Sequence, residues 1–202
     1  MTPRQIEKIK KQIKSERAFL SAEKRKFGGY FDKRGRRYII AELYTDIKDY
    51  KGVLRYYNWF NKEFPDDIGF PELHLSWIIA AIKEKKIQIA NKHLVLLEGI
   101  NSYLIPKFLG IKQLEIQKWD RMDLSTIDYA NHITENCKSW LDQEIINFLE
   151  ETTSKEEYKT FKKKVIECDL KLNSKNEKSD RKKILKKRKK HIKNWIKYLI
   201  EK

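Results

Sequence analysis

The chain has 202 residues, only four prolines and seven glycines, and 45 Lys/Arg against 29 Asp/Glu, so it can bury a sizeable core and is biased toward helices rather than sandwiches or barrels. Cys137 and Cys168 stand far apart without a CxxC partner, so neither a zinc cluster nor a disulfide framework is indicated, and a reducing compartment is expected. The formal net charge of +16 is segregated: 13 basic residues face 4 acidic ones in 1–37, 14 face 3 in 171–202, and 18 face 22 between them. Basic ends on a mildly acidic body suit an acidic partner, with nucleic acid first and an anionic membrane face second; a lysine-rich codon bias explains the count but not the segregation.

The charged start MTPRQIEKIKKQIK lacks the apolar run of a signal peptide, and the longest uncharged apolar stretch, Leu73 to Ile82, is too short to span a bilayer. The expectation is a soluble, cytoplasmic, all-α protein. Residues 3–27 read as a first helix with Pro3 near its start and a narrow seam of Ile6, Ile13, Leu20 and Phe27. That seam packs on the helices that follow or pairs two copies of the chain, although Glu16 and Glu23 occupy positions a coiled coil fills with apolar residues. Next comes Phe27-Gly28-Gly29-Tyr30-Phe31-Asp32-Lys33-Arg34-Gly35-Arg36-Arg37, dense in glycine and arginine. Its backbone amides and cations suit a phosphate or carboxylate, and Phe27, Tyr30 and Phe31 suit stacking on bases. The opposing reading is a turn whose aromatics dock on the core, and no phosphate-loop spacing is present.

Between 38 and 97 one apolar pattern recurs. Ile40, Ala41, Tyr44, Tyr50, Val53, Tyr57 and Phe60 return 37 residues later as Trp77, Ile78, Ala81, Ile87, Ala90, Leu94 and Leu97. Each copy reads as two short amphipathic helices that must stack on a neighbour, roughly 37–47 and 50–64, then 71–84 and 86–103, with Pro65 as a stop and Pro71 at a helix start. Ala41 and Tyr44, Asp49-Tyr50 at the turn, and Val53, Tyr57, Phe60 and Pro65 resemble the tetratricopeptide repeat (TPR) family; the second copy is looser, with Ser102 where the first has Pro65. Residues 27–69, through FGGYFDKRGRRY, AELY, DYKGVLRYYNWF and FPDDIG, also resemble small bacterial proteins to which no activity is attached. The resemblance implies stacked helical hairpins, an α-solenoid, and a surface that binds macromolecules rather than an enzyme.

Residues 104–136 break the pattern at Leu104-Ile105-Pro106, Leu109-Gly110 and Trp119-Asp120-Arg121, as a long connection or a broken third repeat would. Ser139 to Asp142 resembles a capping box for a helix to Glu151, and Ser154 opens another whose Tyr158, Phe161, Val165, Cys168 and Leu172 recur at helical steps. Asn173 to Asp180 reads as a polar linker. After it Ile184, Leu185, Ile192, Trp195, Ile196 and Leu199 share an arc of roughly 160°, with Lys186, Lys190, Lys193 and Lys197 opposite. This basic amphipathic helix either caps the stack, lies on an acidic surface or follows a phosphate backbone. The expected organisation is thus 1–37, a basic helix and loop; 38–106, the repeat pair; 107–172, connecting segment and helices; and 173–202, linker and terminal helix.

No Ser/His/Asp or Cys/His order and no metal-ligand spacing stands out; His74 and His93 read as packing residues, and no catalytic residue, cofactor or metal is expected. The first functional expectation is a non-enzymatic adaptor that holds a protein segment in the repeat groove, with Tyr56, Trp59, Arg36, Arg37 and Arg55 as contacts; Tyr56 and Trp59, off the positions the repeat buries, read equally as buried under the first helix. The alternative is RNA or DNA binding through Lys33 and Arg34 of the loop and through Lys186, Lys190, Lys193 and Lys197 of the terminal helix.

Overall fold

The structure, a computed structural model, describes residues 1–113, 115–116, 123–174 and 178–201, without the side chains of 200 and 201. Trp119-Asp120-Arg121 lie outside the described residues. Every regular element among those described is helical, so the protein is all-α, and the chain divides into two compact units, Met1–Ile87 and Gln88–Lys202.

The first unit holds α1 (Pro3–Phe27), α2 (Arg36–Asp46), α3 (Tyr50–Glu63) and α4 (Pro71–Lys83). Thr2 and Gln5 close a reciprocal capping box at the start of α1, and Gly28, left-handed at φ 71°, ends it by donating its N–H to the Lys24 carbonyl. Of the predicted seam only Ile13 and Leu20 are buried, while Phe27 is exposed because the helix stops there. Glu16 and Glu23 have a structural use: Glu16 pairs with Arg36, and Glu23 accepts the backbone N–H of Asp32 at 3.2 Å.

An aromatic core joins α3 to α4, with Trp77 5.2 Å from Tyr57 and 5.3 Å from Phe60, while Tyr38 of α2 meets Phe70 edge to face at 4.5 Å. α4 is apolar on all sides and is buried from Leu73 to Ile82. His74 is a packing residue, its Nε2 2.7 Å from the Ile68 carbonyl and its ring against Trp77.

Gly52 is needed where α2 and α3 meet. A Cβ there would sit 2.5 Å from Tyr44 Cδ1 and 2.5 Å from Oδ2 of Asp49, the residue that caps α3 by accepting the Gly52 N–H. Gly52→Ala is therefore expected to destabilise the protein by about 1–3 kcal/mol, although alanine is the better helix former. The midpoint of urea unfolding checks this, and a stabilised variant would contradict it.

The second unit contains α5 (Ile87–Ile100) from Gln88 onward, α6 (Leu104–Phe108), α7 (Ile127–Cys137), α8 (Gln143–Ser154), α9 (Glu156–Asn173) and α10 (Lys178–Glu201). α8 starts later than expected because Asp142, not Ser139, caps it by accepting the Ile145 N–H; residues 138–140 form one 3-10 turn instead. Ser154 closes α8 rather than opening α9, whose cap position is Lys155. α10 begins at Lys178, inside the expected linker. Asn101 fastens the break after α5 to the start of α7 by donating to the carbonyls of Leu124 and Thr126 and accepting the Tyr103 N–H.

The stripe Tyr158, Phe161, Val165, Cys168 and Leu172 of α9 is buried as its spacing requires. Two buried polar clusters accompany it. Glu98 accepts a hydrogen bond from Tyr158 Oη at 2.7 Å and lies 2.9 Å from Lys162 Nζ, which also donates to the Ser102 carbonyl. Arg188 grips Asp169 with Nε at 2.7 Å and Nη2 at 3.0 Å, and Nη2 donates to the Gly99 carbonyl.

Candidate nucleic-acid interface

In the second unit α10 docks by its apolar arc. Ile192, Trp195, Ile196 and Leu199 pack on Val95, Phe161 and Val165, and the Trp195 and Phe161 rings stack nearly parallel at 5.6 Å. Leu185, assigned to that arc by its position on the helix, is 37% exposed, and the buried stripe takes in Arg188 instead. The terminal helix therefore packs as part of its unit, and its lysine face is held outward.

Lys186, Lys190, Lys193 and Lys197 are all exposed. Together with Lys183, Lys187 and Lys189, the first three line an open depression of about 640 Å³. No acid among the described residues pairs with Lys186, Lys190 or Lys193. From Lys186 to Lys197 the helix rises roughly 16 Å at 1.5 Å per residue, about five nucleotide steps of 3.4 Å. Burial, followed by the charges of Lys164 and Lys187, holds the His191 imidazole below its usual range. That histidine registers how positive its surroundings are.

The basic loop in the first unit turns the chain without an open anion cradle. Its phosphate-like cradle is filled by the protein's own carboxylate: buried Asp32 accepts the backbone N–H of Arg36 at 2.7 Å and of Arg37 at 3.1 Å, and the Arg37 guanidinium at 2.9 Å. An acid at the start of α2 satisfies amides the helix leaves open and suits its dipole. Arg37 also bonds Asp67, and these acids keep its pKa raised even though burial opposes its charge. Arg36 pairs with Glu16 and lies 4.0 Å over the Phe19 ring. Lys33 and Arg34 alone of the loop's four cations remain exposed and without an acid among the described residues.

The expected protein contacts divide in the same way. Tyr56 is fully buried, so of its two readings the buried one holds and the partner contact does not: its hydroxyl donates to the Arg37 carbonyl at 2.7 Å, and the polar end is satisfied inside. Trp59 is half-buried, stacked on Tyr56 at 5.1 Å and edge-on to Tyr30. Arg55 is exposed, 3.8 Å from Asp49. Tyr30 donates to Glu63 and packs on Phe64, and so leaves the exposed aromatic group that the sequence suggested. Phe19 takes its place beside Phe27 and Phe31, a neighbour that sequence spacing does not reveal because it lies two turns back on α1.

Burial and then Asp169 push the Cys168 thiol up, which keeps it protonated in the core. Among the described residues no three His, Cys, Asp or Glu side chains converge as a metal site, and no helix is long and apolar enough to cross a membrane. No protein-family model, curated protein or solved structure matches the chain.

Proposed function

We propose that this is a non-enzymatic helical protein that binds the phosphate backbone of RNA or DNA through the lysine face of α10. The observation that carries the reading is the contrast in how the basic residues are used: Arg36 and Arg37 are consumed by internal carboxylates, whereas the α10 lysines stand on a docked helix and face solvent. A row of lysines neutralises phosphates without reading bases, so binding should be tolerant of sequence and steeply dependent on salt.

We further propose that the body is a TPR-like stack of hairpins. In support, five of the seven residue pairs in the 37-residue repeat are buried in both copies: Ile40 and Trp77, Ala41 and Ile78, Val53 and Ala90, Tyr57 and Leu94, Phe60 and Leu97. A protein segment held in the repeat groove is the second reading, favoured by half-buried Trp59 one turn from exposed Arg55 on α3. Loss of a captured partner on changing both to alanine would support it.

The primary test is fluorescence anisotropy with a labelled duplex over a range of salt. Changing Lys186, Lys190, Lys193 and Lys197 to glutamine is expected to flatten the plot of log affinity against log salt by about one unit per lysine. In the unaltered protein the His191 pKa, followed by NMR, should rise when the duplex binds, because phosphates offset the lysines that depress it. An unchanged salt slope in the glutamine variant would overturn the reading.

A further inference from the structure

In the first unit α1, the loop at 28–35 and the start of α2 enclose an open groove of about 390 Å³. Three phenylalanines line it, Phe19, Phe27 and Phe31, with exposures of 42%, 53% and 62%. Single exposed apolar residues are ordinary, but three large rings around one groove mark a binding surface. Phe27 and Phe31 meet edge to face at 4.9 Å, and both rings keep more than half of their surface exposed to a ligand. Neither ring is needed to fill the core.

The charge around these rings is positive on balance, with Lys26, Lys33 and Arg34 against Glu23. Glu23 and Asp32 border the groove, yet Glu23 accepts the Asp32 N–H while Asp32 caps α2 and holds Arg37. Lys33 and Arg34 stand exposed on the rim, and the Lys26 ammonium lies 5.1 Å from the centre of the Phe27 ring. Exposed aromatic rings beside unpaired cations are what an unpaired nucleotide needs: the base stacks and its phosphates meet the charge.

Other occupants fit less well. An extended peptide would look for backbone partners, but the amides of Asp32, Gly35, Arg36 and Arg37 are already bonded. A partner helix needs anchor positions over several turns, more than this short groove offers. A membrane-inserting site projects its aromatics, whereas these line a concavity.

We propose that this groove stacks unpaired bases of single-stranded RNA or DNA, with Lys26, Lys33 and Arg34 on the flanking phosphates. The inference shares the ligand class of the α10 reading but uses another surface and another kind of contact. It predicts a preference for single strands that lysines alone would not give.

The experiment compares a 12-nucleotide oligouridylate with a duplex of equal length, using the full chain. Phe27→Ala with Phe31→Ala is expected to weaken single-strand binding at least tenfold. Duplex affinity and the salt slope should stay as they were, because no charge is removed. Lys33→Gln with Arg34→Gln should instead lower the single-strand salt slope by about 1.4. A 4-thiouridine probe should cross-link within 19–34. Both rings are exposed, so alanine leaves the core intact, and circular dichroism checks this. The inference is overturned if the double phenylalanine variant binds the oligouridylate as the unaltered protein does, or loses duplex binding equally. It is also overturned if the same change abolishes binding to phosphatidylserine vesicles or an acidic peptide while sparing the oligonucleotide. Failure of the α10 reading shows separately, as lysine variants that keep their duplex affinity.

Discussion

Arg188→Ala is expected to destabilise the second unit by about 3–5 kcal/mol, the range found when one partner of a buried ion pair is removed. Both partners are 5% exposed, and two guanidinium nitrogens face two carboxylate oxygens of Asp169 while one also donates to the Gly99 carbonyl. Alanine would strand the Asp169 charge and that carbonyl in a site water does not reach. The loss belongs to the broken half rather than to the pair as such, since two charges desolvated together repay much of their own cost. Arg188→Met combined with Asp169→Leu should therefore recover most of the stability. Lysine should not, because a single ammonium cannot reproduce the fork. Trp195, two turns along α10 and stacked on Phe161, gives a fluorescence signal for urea unfolding. A loss below about 1 kcal/mol for the alanine variant would show that the pair is not sealed from water. On the proposed reading of α10, the same substitution should also reduce nucleic-acid binding, because the ion pair anchors the helix that presents the lysines.

That ion pair also shows where sequence reasoning reached its limit. The α9 stripe from Tyr158 to Leu172 and the α10 residues Ile192, Trp195, Ile196 and Leu199 announce themselves because large apolar side chains repeat at helical steps. Arg188 lies on the same face but counts as charge, and its burial depends on Asp169 of another helix. α7 was missed for a related reason: its inward residues are Ala130, Ile133 and Cys137, two of them small, and they stand beside polar neighbours. Its cap, Thr126 accepting the Tyr129 N–H, becomes clear only once the helix is known. In the loop, the amides that composition offers to a phosphate or carboxylate are taken by Asp32, which lies within the motif itself. For Tyr56 the sequence left burial and exposure level. Its burial shows only where a carbonyl nineteen residues earlier accepts its hydroxyl proton.

The second large effect concerns pH. On α2 the carboxyl of Glu42 is pushed up from 4.5 to about 7, first by burial and then by the nearby charges of Glu72 and Asp46. The folded chain thus holds a proton on Glu42 more tightly than the unfolded chain does. Between about pH 4.5 and 7 folding takes up a proton, so stability from this group falls as pH rises and levels off above 7. With each pKa unit worth about 1.4 kcal/mol, the ionised carboxylate costs about 3 kcal/mol above neutrality. Glu42→Gln keeps the shape and removes the charge, so it should raise stability by about 2–3 kcal/mol at pH 8 and change it little at pH 4.5. Glu72→Gln should recover a smaller part of the gain, since burial is the larger cause. Urea unfolding of the three proteins at both pH values measures the difference directly. Equal stabilities of Glu42→Gln and the unaltered protein at pH 8 would mean that water or a cation already relieves the carboxylate.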